Sequence, residues 1–375
     1  MTAKKLIGMT LVLVLLAGVA IWQRKGQVAR HSASLSDDMT LLQGLDLNAI
    51  TQMDVTQSSN AVALVKKDGQ WTVESLYSSP ADFDRLADAL RLMADVKTGS
   101  PVRAGNVAAS EFGLDESAKN IVLKTVGGKA AATVTVGARR KASDTAGWAN
   151  QFFIRKGDGD AVYLVDYDFR PFSENPADWI NKELLRVQSA DIVSVKEGDV
   201  ELRQDGAEWI LADINLETEE FQSSEANRLR SALQYLDCVT VADPAKTDAE
   251  LGFDKSATYV AKTKDGFTYT VKLGAKKDDG QFARIAVGYT RAAPPVAPKG
   301  DDKEKQAAYG KELEAFNNTA AANADKADKL NAALSKWTYV ISSYAADGLL
   351  IPRNKLVKAK ETAKPEETAV TDKMK

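Results

Sequence analysis

Four carboxylates, Asp158, Asp160, Asp166 and Asp168, crowd one short stretch of the chain. Two carboxyls at a suitable separation serve glycoside hydrolysis, and a larger set at loop spacing binds calcium. This spacing favours a plainer role. Asp158 and Asp160 flank Gly159 in a hairpin turn, where Asp favours turn geometry, and Asp166 and Asp168 alternate about Tyr167 at a strand end. The full spacing of an EF-hand loop is missing. The sole histidine, His31, lies near the amino terminus. A Ser-His-Asp or Cys-His nucleophile needs a positioned imidazole, and protease zinc sites need several. The sequence also lacks a Walker A run, a strand-linked GxGxxG and paired CxxC motifs. The expectation is a protein that is not an enzyme, with no catalytic residue, no cofactor and no metal ligand. A carboxylate-dependent hydrolase is the least favoured alternative.

Two tryptophans offer a different chemistry. Trp71 and Trp209 each follow an Asp-Gly turn, in Asp68-Gly69-Gln70-Trp71 and Asp205-Gly206-Ala207-Glu208-Trp209. They could stack on a sugar ring or mark an interface, but matching positions just after a turn suit structural plugs. Trp148, Phe152, Phe153, Trp179 and Tyr235 are expected to be buried, and the single Cys238 to be a core residue outside any intramolecular disulfide.

These landmarks belong to a long internal repeat. The Asp-Gly turn, Phe112-Gly113-Leu114-Asp115 and Val134-Thr135-Val136-Gly137-Ala138 recur as Asp205-Gly206, Leu251-Gly252-Phe253-Asp254 and Val271-Lys272-Leu273-Gly274-Ala275, at lags of about 137 to 139 residues. Three pairs in register point to duplication of a whole module. In each copy two strand-like runs, Ile50 to Val55 and Ala61 to Lys66 or Ile192 to Val195 and Val200 to Arg203, lead to the Asp-Gly hairpin turn and then to Trp71-Thr72-Val73 or Trp209-Ile210-Leu211. A helix follows. Ser79 as cap, Pro80 at the first helical position and the stripe Phe83, Leu86, Leu90 and Met93 suggest it in copy one, and Leu229, Leu233 and Leu236 in copy two. Further strands with Gly-bearing turns complete an antiparallel sheet covered by the helix. The predicted fold is α+β, with two tandem duplicated modules, 45–186 and 187–357. Between Arg291 and Trp337 the second copy departs from the first, and the lag jumps to about 176. A helical insertion over about 292–336 has entered one hairpin, either as a solvated excursion or as a partner-binding arm. Residues 358–375 read as a disordered tail.

Ahead of the modules, Leu6 to Trp22 is uncharged and almost wholly apolar, between Lys4-Lys5 and Arg24-Lys25. Seventeen residues reach roughly 26 Å as a helix, just enough to span, with Trp22 at the interface. Residues 1–30 are expected to be one transmembrane anchor. Gly18 and Ala20 leave a cleaved signal peptide open. A long domain after such a segment is more commonly exported. The expected location is a bacterial cytoplasmic (inner) membrane, single-pass, with the modules in the periplasm or outside. The chain has 375 residues, 49 Lys+Arg against 52 Asp+Glu and a net charge of -3. It lacks the basic excess of a nucleic-acid binder, so nucleic acid is not an expected partner.

The ordered set of apolar N terminus, Asp-Gly-x-Trp, helix, Phe-Gly-Leu-Asp and a strand ending Val-Gly resembles the bacterial family called domain of unknown function 4340, over most of 45–357 and once per module. The resemblance implies association with ABC-type export systems, including auxiliary components like those of gliding-motility transporters, and carries over no catalytic residue. The functional expectation is a membrane-anchored extracytoplasmic scaffold or auxiliary subunit whose partners are the membrane and membrane proteins such as an ABC permease. A cell-envelope glycan-binding module, using Trp71 and Trp209, is the alternative.

Overall fold

Runs of Val, Ile and Thr separated by Gly-bearing turns form antiparallel sheets in two compact units, which divide the chain between Ile180 and Asn181. The computed structural model describes residues 39–98, 101–102, 108–140, 151–206, 208–278, 280–300 and 302–360. The anchor residues Lys4, Lys5, Leu6, Trp22, Arg24 and Lys25 lie outside the described residues, as do His31, Trp148 and the tail from 361. Among the described residues no helix is long and apolar enough to cross a membrane. The architecture is mixed α+β, mostly antiparallel sheet with few helices.

The first unit holds β1 (Ile50–Gln57), β2 (Asn60–Lys67), β3 (Gln70–Val73), β4 (Ser79–Pro80), β5 (Lys119–Thr125), β6 (Ala130–Arg139), β7 (Gln151–Lys156) and β8 (Val162–Asp166). They form one sheet in the order β4-β3-β2-β1-β5-β6-β7-β8. Its helix α1 (Phe83–Ala94) buries Leu86, Ala89, Leu90 and Met93. The Asp68-Gly69 turn has positive φ at both residues, 49° and 81°, as a tight two-residue hairpin requires.

In the second unit the strands are β9 (Glu183–Leu185), β10 (Ile192–Glu197), β11 (Val200–Asp205), β12 (Glu208–Leu211), β13 (Glu219–Phe221), β14 (Leu236–Val241), β15 (Ala257–Thr263), β16 (Phe267–Lys277), β17 (Gly280–Tyr289), β18 (Tyr339–Ser342) and β19 (Val357–Ala359). The main sheet runs β12-β11-β10-β15-β16-β17-β18-β14-β9, and β13 pairs separately with β19. The helices are α2 (Ser223–Ser231), α3 (Lys303–Leu334), α4 (Ser343–Leu349) and α5 (Arg353–Leu356).

Bulges recur at corresponding places. The register of β1 on β5 shifts between Ile50 and Gln52, and that of β10 on β15 between Ile192 and Ser194. One extra residue breaks the alternation, so Ile50 and Met53, and likewise Ile192 and Val195, all face the core three positions apart. A second shift falls between Val136 and Arg139 in β6, and between Leu273 and Lys276 in β16. Each unit is also closed by its own last residues. The Asp82 amide donates to the Trp179 carbonyl at 2.7 Å in the first, and the Gln222 amide to the Leu356 carbonyl at 2.8 Å in the second.

Several expectations are corrected. Pro80 does not start a helix; Ser79 and Pro80 pair with β3 at the sheet edge, where a missing N–H is tolerated. Helix α1 starts at Phe83 because the Asp82 carboxylate accepts the Arg85 amide at 3.0 Å. Phe83 is 59% exposed and leaves the buried stripe. Leu233 and Leu236 are core residues beyond the end of α2, and Leu236 opens β14. Phe152 and Phe153 are half-buried, while Trp179 is fully buried. Residues 183–185 belong to the second sheet, because β9 pairs with β14. At the other end Val357–Ala359 pairs with β13, so the tail begins after an ordered strand.

Candidate functional site

The motifs that recur in sequence meet in space within each unit. Gly113 follows a 3-10 turn (Ala109–Phe112) and adopts φ 63°. A Cβ on Gly113 would stand 2.7 Å from the Ala138 amide nitrogen, and one on Gly137 would stand 2.3 Å from the Phe112 carbonyl oxygen. In the second unit a Cβ on Gly252, at φ 73°, would meet Ala275 at 2.6 Å, and one on Gly274 would meet the Leu251 oxygen at 2.2 Å. The Ala275 amide donates to that same Leu251 carbonyl at 2.8 Å. These glycines clasp two backbones together where side chains would hold them apart. Their part is architectural. Asp115 caps its own turn, accepting the Ser117 hydroxyl and amide, which lower its pKa.

The acidic stretch is dispersed over its turn and strand. Asp158 and Asp160 are exposed in the turn and Asp166 ends β8 exposed. Asp168 is gripped by Arg170, whose Nε lies 2.7 Å from one carboxylate oxygen, and that hydrogen bond leads the depression of its pKa. An ion pair of this kind is the reverse of a carboxyl held protonated for acid catalysis. Among the described residues no group of three or more His, Cys, Asp or Glu could hold a metal ion. Cys238 is buried, and burial pushes its thiol up to about 11.

Trp71 is buried on β3. Trp209 is half-buried on β12, with the Arg230 guanidinium 4.5 Å above its ring. As placed, Trp71 offers no open ring face.

A different pair of aromatic rings stands open. Strand β14 alternates, with Leu236 and Cys238 facing the core and Asp237 and Val239 facing out. Tyr235, expected in the core, immediately precedes this alternation and is 72% exposed. Tyr344, on the first turn of α4, is 85% exposed. Between them lies a cleft of about 350 Å³, walled by the end of α2 and by α4 and lined also by Arg228, Asp237 and Ser342. Each wall is braced. Arg186 donates to Asp237 at 2.6 Å and sits 5.8 Å from the Tyr235 ring. Arg228 donates to the Asp347 carbonyl at 3.1 Å, and the Ser342 hydroxyl caps α4 by accepting the Ala345 amide. Exposed Tyr with neighbouring Arg is the composition of protein-interface hot spots. Sequence reasoning missed Tyr344 and Arg228. The period-two pattern of residues 236–239 is the available signal for the outward face, and the helical stripe of Leu229, Leu233 and Leu236 competes with it.

No curated protein and no solved structure matches the chain. The model of the family described as Domain of unknown function (DUF4340) matches residues 71–256. That match is a single span that crosses the division between the units, where one instance per module was expected. It takes in Gly113 and Gly137 of the first clasp and Gly252 of the second. From Trp71 to Ser256, then, the chain belongs to the DUF4340 family.

Proposed function

We propose that the protein is a non-enzymatic scaffold, anchored in a bacterial cytoplasmic membrane by residues 1–30, whose second unit docks an extracytoplasmic loop of an ABC-type permease. The carrying observation is the braced cleft between Tyr235 and Tyr344, two large rings held open on either side of about 350 Å³. Such rings lose little conformational entropy on binding, and the polar groups around them, Arg228, Asp237 and Ser342, suit a loop with its own backbone donors and acceptors. The anchor and the transporter assignment rest on the apolar N-terminal segment and on the family resemblance. Membrane confinement raises the effective concentration of such a partner, so a modest interface suffices. We further infer that the two units descend from one duplicated module, supported by the matching bulges, glycine clasps and closing hydrogen bonds.

The test is mild crosslinking and affinity capture of the full chain from its native membrane, followed by quantitative mass spectrometry. An ABC permease or ATPase should be enriched by the natural protein and reduced about tenfold or more by Tyr235→Ala with Tyr344→Ala, as expected for hot-spot residues. Permease capture unaffected by the two substitutions would remove the cleft from the interface. Enrichment of wall glycan with no transporter component would replace the scaffold reading by the glycan-binding one.

A further inference from the structure

A second cavity of the same unit, about 260 Å³ in volume, shares no lining residue with the tyrosine cleft. It lies where the loop after β14 approaches the end of α3, and Lys246, Arg284 and Lys336 line it beside Asp243, Trp337 and Thr338. In a protein of net charge -3 this is a local excess of cations.

The acidic groups nearby are already engaged. Asp243 accepts the Ala245 amide at 2.9 Å, and Asp248 takes an Arg284 nitrogen at 2.7 Å. Glu250 accepts the Thr247 amide at 2.8 Å and the Thr247 hydroxyl at 2.9 Å. Lys246 and Lys336 form no ion pair among the described residues, and both are exposed. Arg284 is fixed in place. Its Nε donates to the Thr338 hydroxyl at 2.9 Å and its guanidinium lies 4.1 Å from the Phe253 ring. With Nε and one terminal nitrogen committed, its other terminal nitrogen is left for a ligand.

The end of α3 works against an anion, because helix C-termini carry about half a negative charge. Asp248 already balances Arg284, so the two ammonium groups supply the surplus over Asp243 and the helix end. A carboxylate brings only two oxygens to donors on three sides. A phosphate group, with about -1.5 to -2 at neutral pH, is drawn by both ammonium groups and offers an acceptor oxygen to each of them and to the remaining Arg284 nitrogen.

We propose that this pocket binds a phosphate group, gripped by Lys246 and Lys336 and oriented by the fixed guanidinium of Arg284. The pocket reads the group by its charge and its oxygens alone, so a soluble phosphate and a phospholipid headgroup are the two sources to separate. Neither the tyrosine cleft nor the transporter assignment is needed for it.

The experiment is calorimetric titration of the full chain in detergent, at constant ionic strength, with sodium phosphate and separately with short-chain phosphatidic acid dispersed in the same detergent. Saturable binding is expected for at least one, with phosphatidic acid alone identifying a headgroup site. Inorganic phosphate passes from mainly dianion to monoanion between about pH 7.5 and pH 5.5, so its binding should weaken over that range, while sulfate, used as a control, should bind equally at both. Lys246→Gln with Lys336→Gln should weaken binding about tenfold per lysine, and Lys246→Arg with Lys336→Arg should retain it. Absence of saturable binding to both ligands would overturn the proposal. So would full affinity in the glutamine variant, or loss in both variants while circular dichroism stays unchanged.

Discussion

Gly274 and Gly310 differ only in their surroundings, and that difference sets opposite expectations for one substitution. A Cβ at Gly274 would fall 2.2 Å from the Leu251 carbonyl oxygen, which belongs to fixed backbone. Gly274→Ala must open the clasp and should cost about 1–3 kcal/mol, as overpacking does. At Gly310, inside α3, nothing lies within 4 Å. Gly310→Ala should stabilise its helix by about 0.5–1 kcal/mol. Urea unfolding of the two variants checks both signs. A second residue-scale expectation concerns Arg353, which donates to Glu219 through two nitrogens at 2.8 Å and to Asp213 at 2.8 Å. The Arg353 hydrogen bonds lower the Glu219 pKa to about 2 from an ordinary 4.5. A depressed carboxylate stabilises the folded state above its unfolded pKa, and loses that contribution as pH falls through the folded one. The natural protein should therefore lose stability between about pH 5 and pH 2 in part through this group, and Arg353→Gln should flatten that part of the profile. Denaturant midpoints measured across the range decide it; an unchanged slope would mean that Glu219 is not held by Arg353 in solution.

At the scale of elements, residues 292–336 have a physical task. Strand β18 pairs with β17 only from Gly280 to Ala283, so the rest of that β17 edge, as far as Tyr289, has no strand partner among the described residues. Helix α3 lies against it. Ala320, Ala327 and Leu334, seven residues apart, are its buried face, and the Asn331 side chain accepts the Val287 amide at 3.0 Å. An open edge invites pairing with another chain. Asn331→Leu should cost about 1–3 kcal/mol by leaving a strand amide unsatisfied, and removal of 292–336 should produce concentration-dependent association visible by sedimentation. Hydrogen exchange should be fast over residues 303–308, which are exposed all round, and slow from Ala320 onward. A helix in this segment was legible in sequence as an Ala-, Lys- and Glu-rich run; its role as an edge cover was not, because it depends on the short pairing of β18. The same distinction holds elsewhere. Strands were legible because alternation and Asp-Gly turns are local signals. The start of α1 was not, since Pro80 suits a first helical position and an edge strand equally, and only pairing with β3 decides between them. The tyrosine cleft was hidden for a related reason: residues 233–237 satisfy a helical stripe until β18 and β9 draw Leu236 into a sheet.

For the whole molecule, the closing hydrogen bonds determine where the chain can be cut. Each main sheet is assembled from strands of one unit, and each unit's helix is tied to residues that come last within it. In the first unit Trp179 is fully buried, its indole donates to the Ser173 carbonyl at 2.7 Å, and its own carbonyl receives the Asp82 amide. Losing a buried Trp costs about 3–5 kcal/mol, a large share of the 5–15 kcal/mol that holds a domain folded. A fragment of residues 39–180 should accordingly unfold cooperatively in urea, and one ending at 175 should not. The second unit makes the same demand through Leu356, which is fully buried and accepts the Gln222 amide. A fragment of 181–360 should fold, and one of 181–350, lacking both Leu356 and the β13–β19 pair, should fail. Near-ultraviolet circular dichroism of the four fragments separates this from the alternative that helix and sheet alone suffice. If 39–175 and 181–350 kept native spectra, the closing residues would be ornaments on finished sheets. If only the longer pair folds, each unit becomes stable only after its final residues have been made, and the DUF4340 match, which starts at Trp71 and ends at Ser256, would correspond to neither folding unit.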